Sequence, residues 1–169
     1  MPLAPQTNYG AAKAGTVEAL ARLSKTHAAS APWGRVFFLF WPGERQTRLV
    51  PLMIDAAARG VALDCGPAAA TRDLWDVRNH GAAVVELVLS SLEGSIDRAS
   101  GAPIRFDAIG AIVERHFEHA KVIRFDQRPL GPGKPLRLVA DTTGLHAELG
   151  FTDSVSLTEG LRTYSEAMA

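Results

Sequence analysis

The sequence predicts an α/β fold. Segments with helical periodicity alternate with short strand-like runs along the whole chain. The strongest of those runs is continuously apolar, as in a buried parallel strand, rather than alternating. Gly- and Pro-rich turns separate the segments. With 169 residues, 47% hydrophobic and 21% charged, the composition is ordinary globular and sufficient for one real core. Eighteen basic and eighteen acidic residues balance to zero, which argues against a nucleic-acid or anionic-membrane surface as the main function.

In order, residues 1–8 form a Pro-rich polar loop in which Thr7 or Asn8 can cap a helix. That helix spans Tyr9 to about His27, with Ala12, Val17, Leu20 and Leu23 at helical spacing. After a loop at 28–32, the run Arg35 to Phe40 reads as a strand buried on both faces. A polar loop at 42–47 leads to a helix from Leu49 to Arg59, closed by Gly60. Val61 to Cys65 is a weak strand ended by Gly66-Pro67, and 71–75 forms another short one. Val77 to Leu92 reads as a helix with Ala82, Val85, Leu87, Val88 and Leu89 inward. Gly94 to Ala99 is a strand and Ser100 to Pro103 a turn. Phe106 or Asp107 opens a helix reaching about His119, striped by Ile109, Ile112, Val113 and Phe117. Val122 to Phe125 is a strand, and Arg128 to Pro135 a loop. Asp141 caps a short helix at 142–149, and Thr158 to Met168 closes the chain. There is no internal repeat.

One motif points to chemistry. In Tyr9-Gly10-Ala11-Ala12-Lys13, Tyr and Lys share a helix face at i and i+4. An ammonium held near a phenol favours the phenolate, a base usable near neutral pH. The plain structural alternative is an exposed helix pair. Arg48, Arg72 and Arg128 are candidates for a diphosphate, since the guanidinium fork suits phosphate oxygens; surface Arg is the competing reading. His116 and His119 are one turn apart but not in an H-E-x-x-H order, so no metal site is expected. Cys65, the single cysteine, excludes an internal disulfide and fits a reducing compartment. It reads as a small buried hydrophobe. No apolar run approaches the ~20 residues that span a bilayer. Met1 to Pro5 lacks the basic and apolar regions of a signal peptide, so a cytoplasmic setting is expected.

Tyr9 and Lys13 also match the Y-x-x-x-K of a known family. Trp33 to Glu44 looks like its R-x-x-N-V-Y-G-P-G segment. Arg48-Leu49-Val50-Pro51 is similar to N-L-I-P, and Thr71 to Val77 resembles R-D-F-x-H-V. Gly101 with Pro103 fits an S/G-G-x-P turn. Ala140 to Phe151 follows A-D-x-S-K-L-x-x-E-L-G-W, and Ser156 to Leu161 follows S-L-E-E-G-L. In this order and spacing, the chain resembles an extended short-chain dehydrogenase/reductase of the NAD-dependent epimerase/dehydratase family. The departures are Phe38 at the usual Asn, Trp41 at the usual Gly and Asp76 at the usual His. Arg78, Asn79 and Lys134 stand at acidic positions.

The resemblance implies the C-terminal part of an NAD(P)-binding Rossmann-like fold plus a small α/β substrate subdomain, without the N-terminal dinucleotide-binding half. Residues 1–47 would hold the catalytic helix and a late Rossmann strand. Residues 48–169 would be mainly the sugar-nucleotide-binding subdomain. The implied activity is that of an NAD(P)-dependent sugar-nucleotide epimerase, dehydratase or 4-ketoreductase. Tyr9 would be the proton-relay base, with Lys13 the partner that eases loss of its proton. Tyr9, Lys13 and Phe38 would face NAD or NADP. Arg48, Leu49, Arg72 and Arg128 would face the nucleotide sugar. The helix at 9–27 would mediate a homodimer or pairing with another subunit. No G-x-x-G-x-x-G occurs in the sequence, so the pyrophosphate turn of the cofactor site has no counterpart here. The competing expectation is a non-catalytic, truncated remnant or an interaction partner of a full-length subunit.

Overall fold

The fold is organised around Thr71–Asp76 (β4), six consecutive buried residues. A computed structural model describes residues 4–27, 30–117 and 121–168. β4 pairs in parallel with Phe38–Phe40 (β2), Phe38 opposite Leu74 and Phe40 opposite Asp76. Its first half pairs antiparallel with Pro103–Arg105 (β6) and parallel with Arg137–Leu138 (β8). Among the described residues there are two further parallel pairs. Trp33–Val36 (β1) runs beside Ser95–Arg98 (β5), and Leu63–Asp64 (β3) beside Ile123–Arg124 (β7).

The described residues form six helices: Asn8–His27 (α1), Leu49–Arg59 (α2), Val77–Leu89 (α3), Phe106–Glu114 (α4), Thr143–Leu149 (α5) and Leu157–Met168 (α6). α2 shows how directly sequence dictates form. Val50, Met53, Ile54 and Ala57 fall at i, i+3, i+4 and i+7, and all four are buried. The helix stops where Gly60 takes φ 64°, its N–H reaching Ala56 and Ala57 carbonyls. α1 begins where Thr7 Oγ1 accepts the Gly10 N–H at 3.0 Å, the cap expected from sequence.

Successive residues of a strand face opposite ways, so β4 divides the core in two. Leu74 joins Phe40, Met53, Ile54, Ile109 and Tyr164 on one side. Trp75 joins Ala83, Leu87, Ile96, Leu145 and Phe151 on the other. Fully burying one such aliphatic side chain is worth about 2 kcal/mol. α6 approaches the sheet at Gly160, where a Cβ would sit 2.5 Å from Asp76 Oδ2 and 2.9 Å from Phe40 Cζ.

Several expectations are corrected. The run at 35–40 is two strands rather than one, because its backbone changes partner near Phe37, from β5 to β4. It is not buried on both faces, since Val36 is 48% exposed. α3 ends at Leu89 and packs through Asn79, Ala83 and Leu87, a single i, i+4, i+8 stripe. Ala82 lies outside that stripe and is exposed. Val85, Val88 and Leu89, expected inward, lie off it too and are exposed. α1 has no buried residue at all; Val17 and Leu20 are half-buried, and Leu23 is exposed. β6 and β8 have no counterpart among the expected strands. The strands expected at 61–65 and 122–125 shrink to two residues each. His119 lies outside the described residues.

Candidate functional site

The residues singled out in the sequence separate into two places. Phe38, Arg48, Leu49, Arg72 and Arg128 all line one cavity of about 520 Å³. They come from β2, the loop before α2, α2 itself, β4 and the 128–135 loop. The fold therefore gathers them from segments up to ninety residues apart.

Arg72 sits at the heart of the cavity. β4 is covered on both edges, so this side chain is held near the core, only 7% exposed. Its guanidinium lies over the rings of Phe38 at 5.7 Å and Phe106 at 5.5 Å, a favourable cation–π arrangement. Nη1 donates to the Thr71 and Leu136 carbonyls at 2.7 and 3.1 Å. Burial pulls its pKa below the ordinary arginine range. Among the described residues no carboxylate stands within ion-pair distance of Arg72, Arg128 or Lys134, which lines the same cavity. The lining carboxylates, Glu44 and Asp64, are both engaged: Glu44 with Arg48 at 3.1 Å, and Asp64 with Arg124 at 2.7 Å. The cavity thus presents unmatched positive charge on an otherwise apolar wall. That suits an anion joined to a less polar body.

The neighbouring residue in β4, Asp73, fixes the frame. It is fully buried and accepts from Ser100 N at 2.9 Å, Ser100 Oγ at 2.6 Å, Gly101 N at 3.0 Å and Ala140 N at 3.4 Å. One carboxylate so ties β4 to the turn before β6 and to the segment after β8.

Sequence reasoning passed over Glu44. It is 3% exposed and lines the cavity. Burial pushes its carboxyl up to about 7, while Arg48 and the Trp41 backbone act the other way. Arg48 Nε approaches Oε2 at 3.1 Å, but off the line of its N–H, so Oε2 accepts no aligned hydrogen bond. The Glu44-x-x-x-Arg48 spacing was the available clue. Cys65 also lines the cavity, buried as expected, with burial raising its thiol pKa. Trp41 is half-buried and does not line it.

Tyr9 and Lys13 lie elsewhere, on α1. Lys13 Nζ stands 5.6 Å from the centre of the Tyr9 ring, so the two share a face. Tyr9 is 73% exposed. Lys13 lines a separate hollow of about 530 Å³ with Trp33, Arg35 and Ser95. Lys13 brings its cation to this hollow, while Tyr9 does not line it. The pyrophosphate of a nicotinamide dinucleotide does not fit: the hollow is lined by no glycine turn leading into a helix N-terminus. Among the described residues no cluster of His, Cys, Asp and Glu could hold a metal ion. His116 Nδ1 instead meets the Ile112 carbonyl at 2.8 Å. No described helix is long and apolar enough to cross a membrane.

The sequence profile of the NAD dependent epimerase/dehydratase family matches residues 1–96. Comparison with curated proteins gives no match. Among solved structures, UDP-glucose 4-epimerase of Thermotoga maritima, solved with UDP-glucose, superposes at TM-score 0.88 and 18% identity, over 98% of this chain and 54% of its own. UDP-N-acetylglucosamine 4-epimerase of Methanobrevibacter ruminantium, in complex with UDP-N-acetylmuramic acid, gives 0.86 and 21%, over 98% and 54%. UDP-glucose 4-epimerase of Thermus thermophilus, in complex with NAD, gives 0.83 and 19%, over 97% and 54%. The chain spans about half the length of these structures and shares their α/β, Rossmann-like fold.

Proposed function

The chain belongs to the NAD-dependent epimerase/dehydratase family, and from that premise we propose that its cavity binds a nucleoside-diphosphate sugar. The observation that carries this reading is the meeting of Phe38, Arg48, Leu49, Arg72 and Arg128 around one cavity. Arg72 and Arg128 take the diphosphate, with Arg48 at the rim. Two relatives of the same fold were solved with UDP-linked sugars. Arg72 is preorganised for an anion: two rings and two carbonyls already fix its plane, so little side-chain freedom is lost on binding.

In the same reading the chain is the substrate-binding part of an NAD(P)-dependent epimerase, dehydratase or 4-ketoreductase. Residues 1–47 bring the catalytic helix and 48–169 most of the sugar-nucleotide subdomain. Tyr9 holds and returns the proton of a sugar hydroxyl. Lys13, one helical turn away, is the cation beside its ring. NAD or NADP would accept and return hydride when bound, with Lys13 and Tyr9 against the ribose. Among the described residues no glycine-rich turn forms a cradle for its pyrophosphate. A cytoplasmic setting belongs to this reading, supported by the single buried Cys65.

A second reading, a non-catalytic partner of a longer subunit, has one observation in its favour: α1 runs for 20 residues and buries none of them. A helix so exposed is rarely stable by propensity alone, and a second copy or a full-length relative would cover it.

Calorimetric titration of UDP-glucose into the wild type and Arg72→Ala tests the substrate reading. Saturable binding to the wild type, weakened at least about tenfold by the substitution, is expected from loss of a charge-assisted pair. Equal affinities would refute the assignment. A parallel titration with NADH, with Tyr9→Phe as control, separates the two readings, since micromolar binding would sink the non-catalytic one.

A further inference from the structure

The ion pair at the cavity rim sets a half-exposed arginine on a buried carboxylate, as Arg78 with Asp76 does, but lacks that pair's aligned hydrogen bonds. Most pairs join partly exposed side chains, as in Arg162 with Glu159. In the rim pair the Glu44 side chain is 1% exposed, while Arg48 is 45% exposed and reaches the cavity mouth. Glu44 Oε2 has no aligned hydrogen bond, so Arg48 is its main source of compensation. The other titratable group facing it is Tyr164 of α6, whose buried hydroxyl also lacks a hydrogen-bond partner. Glu44 raises the pKa of that phenol, after burial itself. Asp64, the remaining lining carboxylate, is held by Arg124.

Consider an anion entering this cavity. Of the lining cations Arg48 is half-exposed and paired with a lining carboxylate, so a phosphate oxygen that reaches its guanidinium competes with Glu44 for it. If the anion takes it, Glu44 is left buried, unpaired and beside a second negative charge. A buried carboxylate in that position does not stay ionised; it neutralises by taking a proton.

We propose that Glu44 and an anionic ligand compete for Arg48, so that the cavity takes up its anion together with one proton onto Glu44. This rests on the anion-binding reading of the cavity and deepens it. Glu44 becomes a positioning residue that parks Arg48 when the cavity is empty and releases it on binding. Its carboxyl, already held near neutrality by burial, needs only a small further push to protonate at working pH. The sign follows directly: raising the pH keeps Glu44 charged, keeps Arg48 occupied and weakens binding.

UDP-glucose and sulfate are suitable probes, because the diphosphate of the one and the sulfate ion itself keep their charge across the range. Wild type and Glu44→Gln are titrated calorimetrically from about pH 7 to about pH 8.5, in two buffers of different ionisation enthalpy. The wild type should lose about tenfold in affinity over that range and take up close to one proton per ligand at the upper end. Glu44→Gln should bind with little pH dependence, take up no proton and be the tighter binder at the upper end. A pH slope that survives in Glu44→Gln, or binding without proton uptake in the wild type, would overturn the proposal. PH-independent binding of UDP-glucose would remove the role of Glu44 and leave the sugar-nucleotide reading standing. Sulfate binding with the Glu44-dependent slope, but no UDP-glucose binding, would do the reverse. Failure of both probes would remove both.

Discussion

Replacing Asp73 with alanine should be among the most damaging single changes in this chain. The carboxylate is fully buried and accepts four hydrogen bonds, three of them between 2.6 and 3.0 Å. Hydrogen bonds to a charged group each contribute roughly 1.5–3 kcal/mol, and an abandoned buried donor costs about 1–3 kcal/mol. Gly101 is exposed and Ser100 half-buried, so water recovers part of that loss. Ala140 N, at 3.4 Å, adds little. The expected total is about 4 kcal/mol for Asp73→Ala. Asp73→Asn keeps the shape and can still accept from Ser100, but turns an amide N–H₂ toward the Gly101 and Ala140 donors. It should lose about half as much. Urea unfolding followed by tryptophan fluorescence reads both values, provided the slope with denaturant is unchanged. An Asp73→Ala protein within about 1 kcal/mol of wild type would refute the assignment of Asp73 as the tie between β4 and its neighbours.

Gly160→Ala should destabilise by about 2 kcal/mol or more, because the new methyl meets Asp76 and Phe40 and α6 must back away; a thermal midpoint equal to wild type would contradict the packing. The Glu44 carboxyl rises from its ordinary 4.5 to about 7 on folding. Its contribution to stability is therefore complete below about pH 4.5 and lost as pH climbs through about 7. With screening through the open cavity, the wild type should lose on the order of 2 kcal/mol between about pH 5 and pH 8 that Glu44→Gln does not lose. Parallel stability–pH curves for the two proteins would dismiss that environment for Glu44. For the binding site, Arg72→Ala should weaken UDP-glucose at least about tenfold, as calorimetry would show directly.

Where local chemistry decides structure, the sequence was legible to the residue. α2 was bounded correctly because its apolar period and its Gly60 cap are both written within eleven positions. β4 was understated for a tertiary reason. Arg72 and Asp73 are poor buried-strand residues alone, and they are stable there only because distant rings and backbone N–H groups satisfy them. β6 and β8 are three and two residues long and exist through pairing with β4, so no local period announces them. α3 misled because its apolar residues outnumber those its one packed stripe uses. The cavity Arg residues were reachable from motif order. Glu44 was not, because a carboxylate directly after the Pro42-Gly43 turn looks solvated until the fold buries it.

The most direct measurement is a crystal structure of this chain grown with UDP-glucose. The diphosphate should lie in the cavity between β4 and the 128–135 loop, with its oxygens about 3 Å from the guanidinium groups of Arg72 and Arg128. A ligand bound on another face, or one in the cavity whose diphosphate points away from Arg72, would contradict the proposed function.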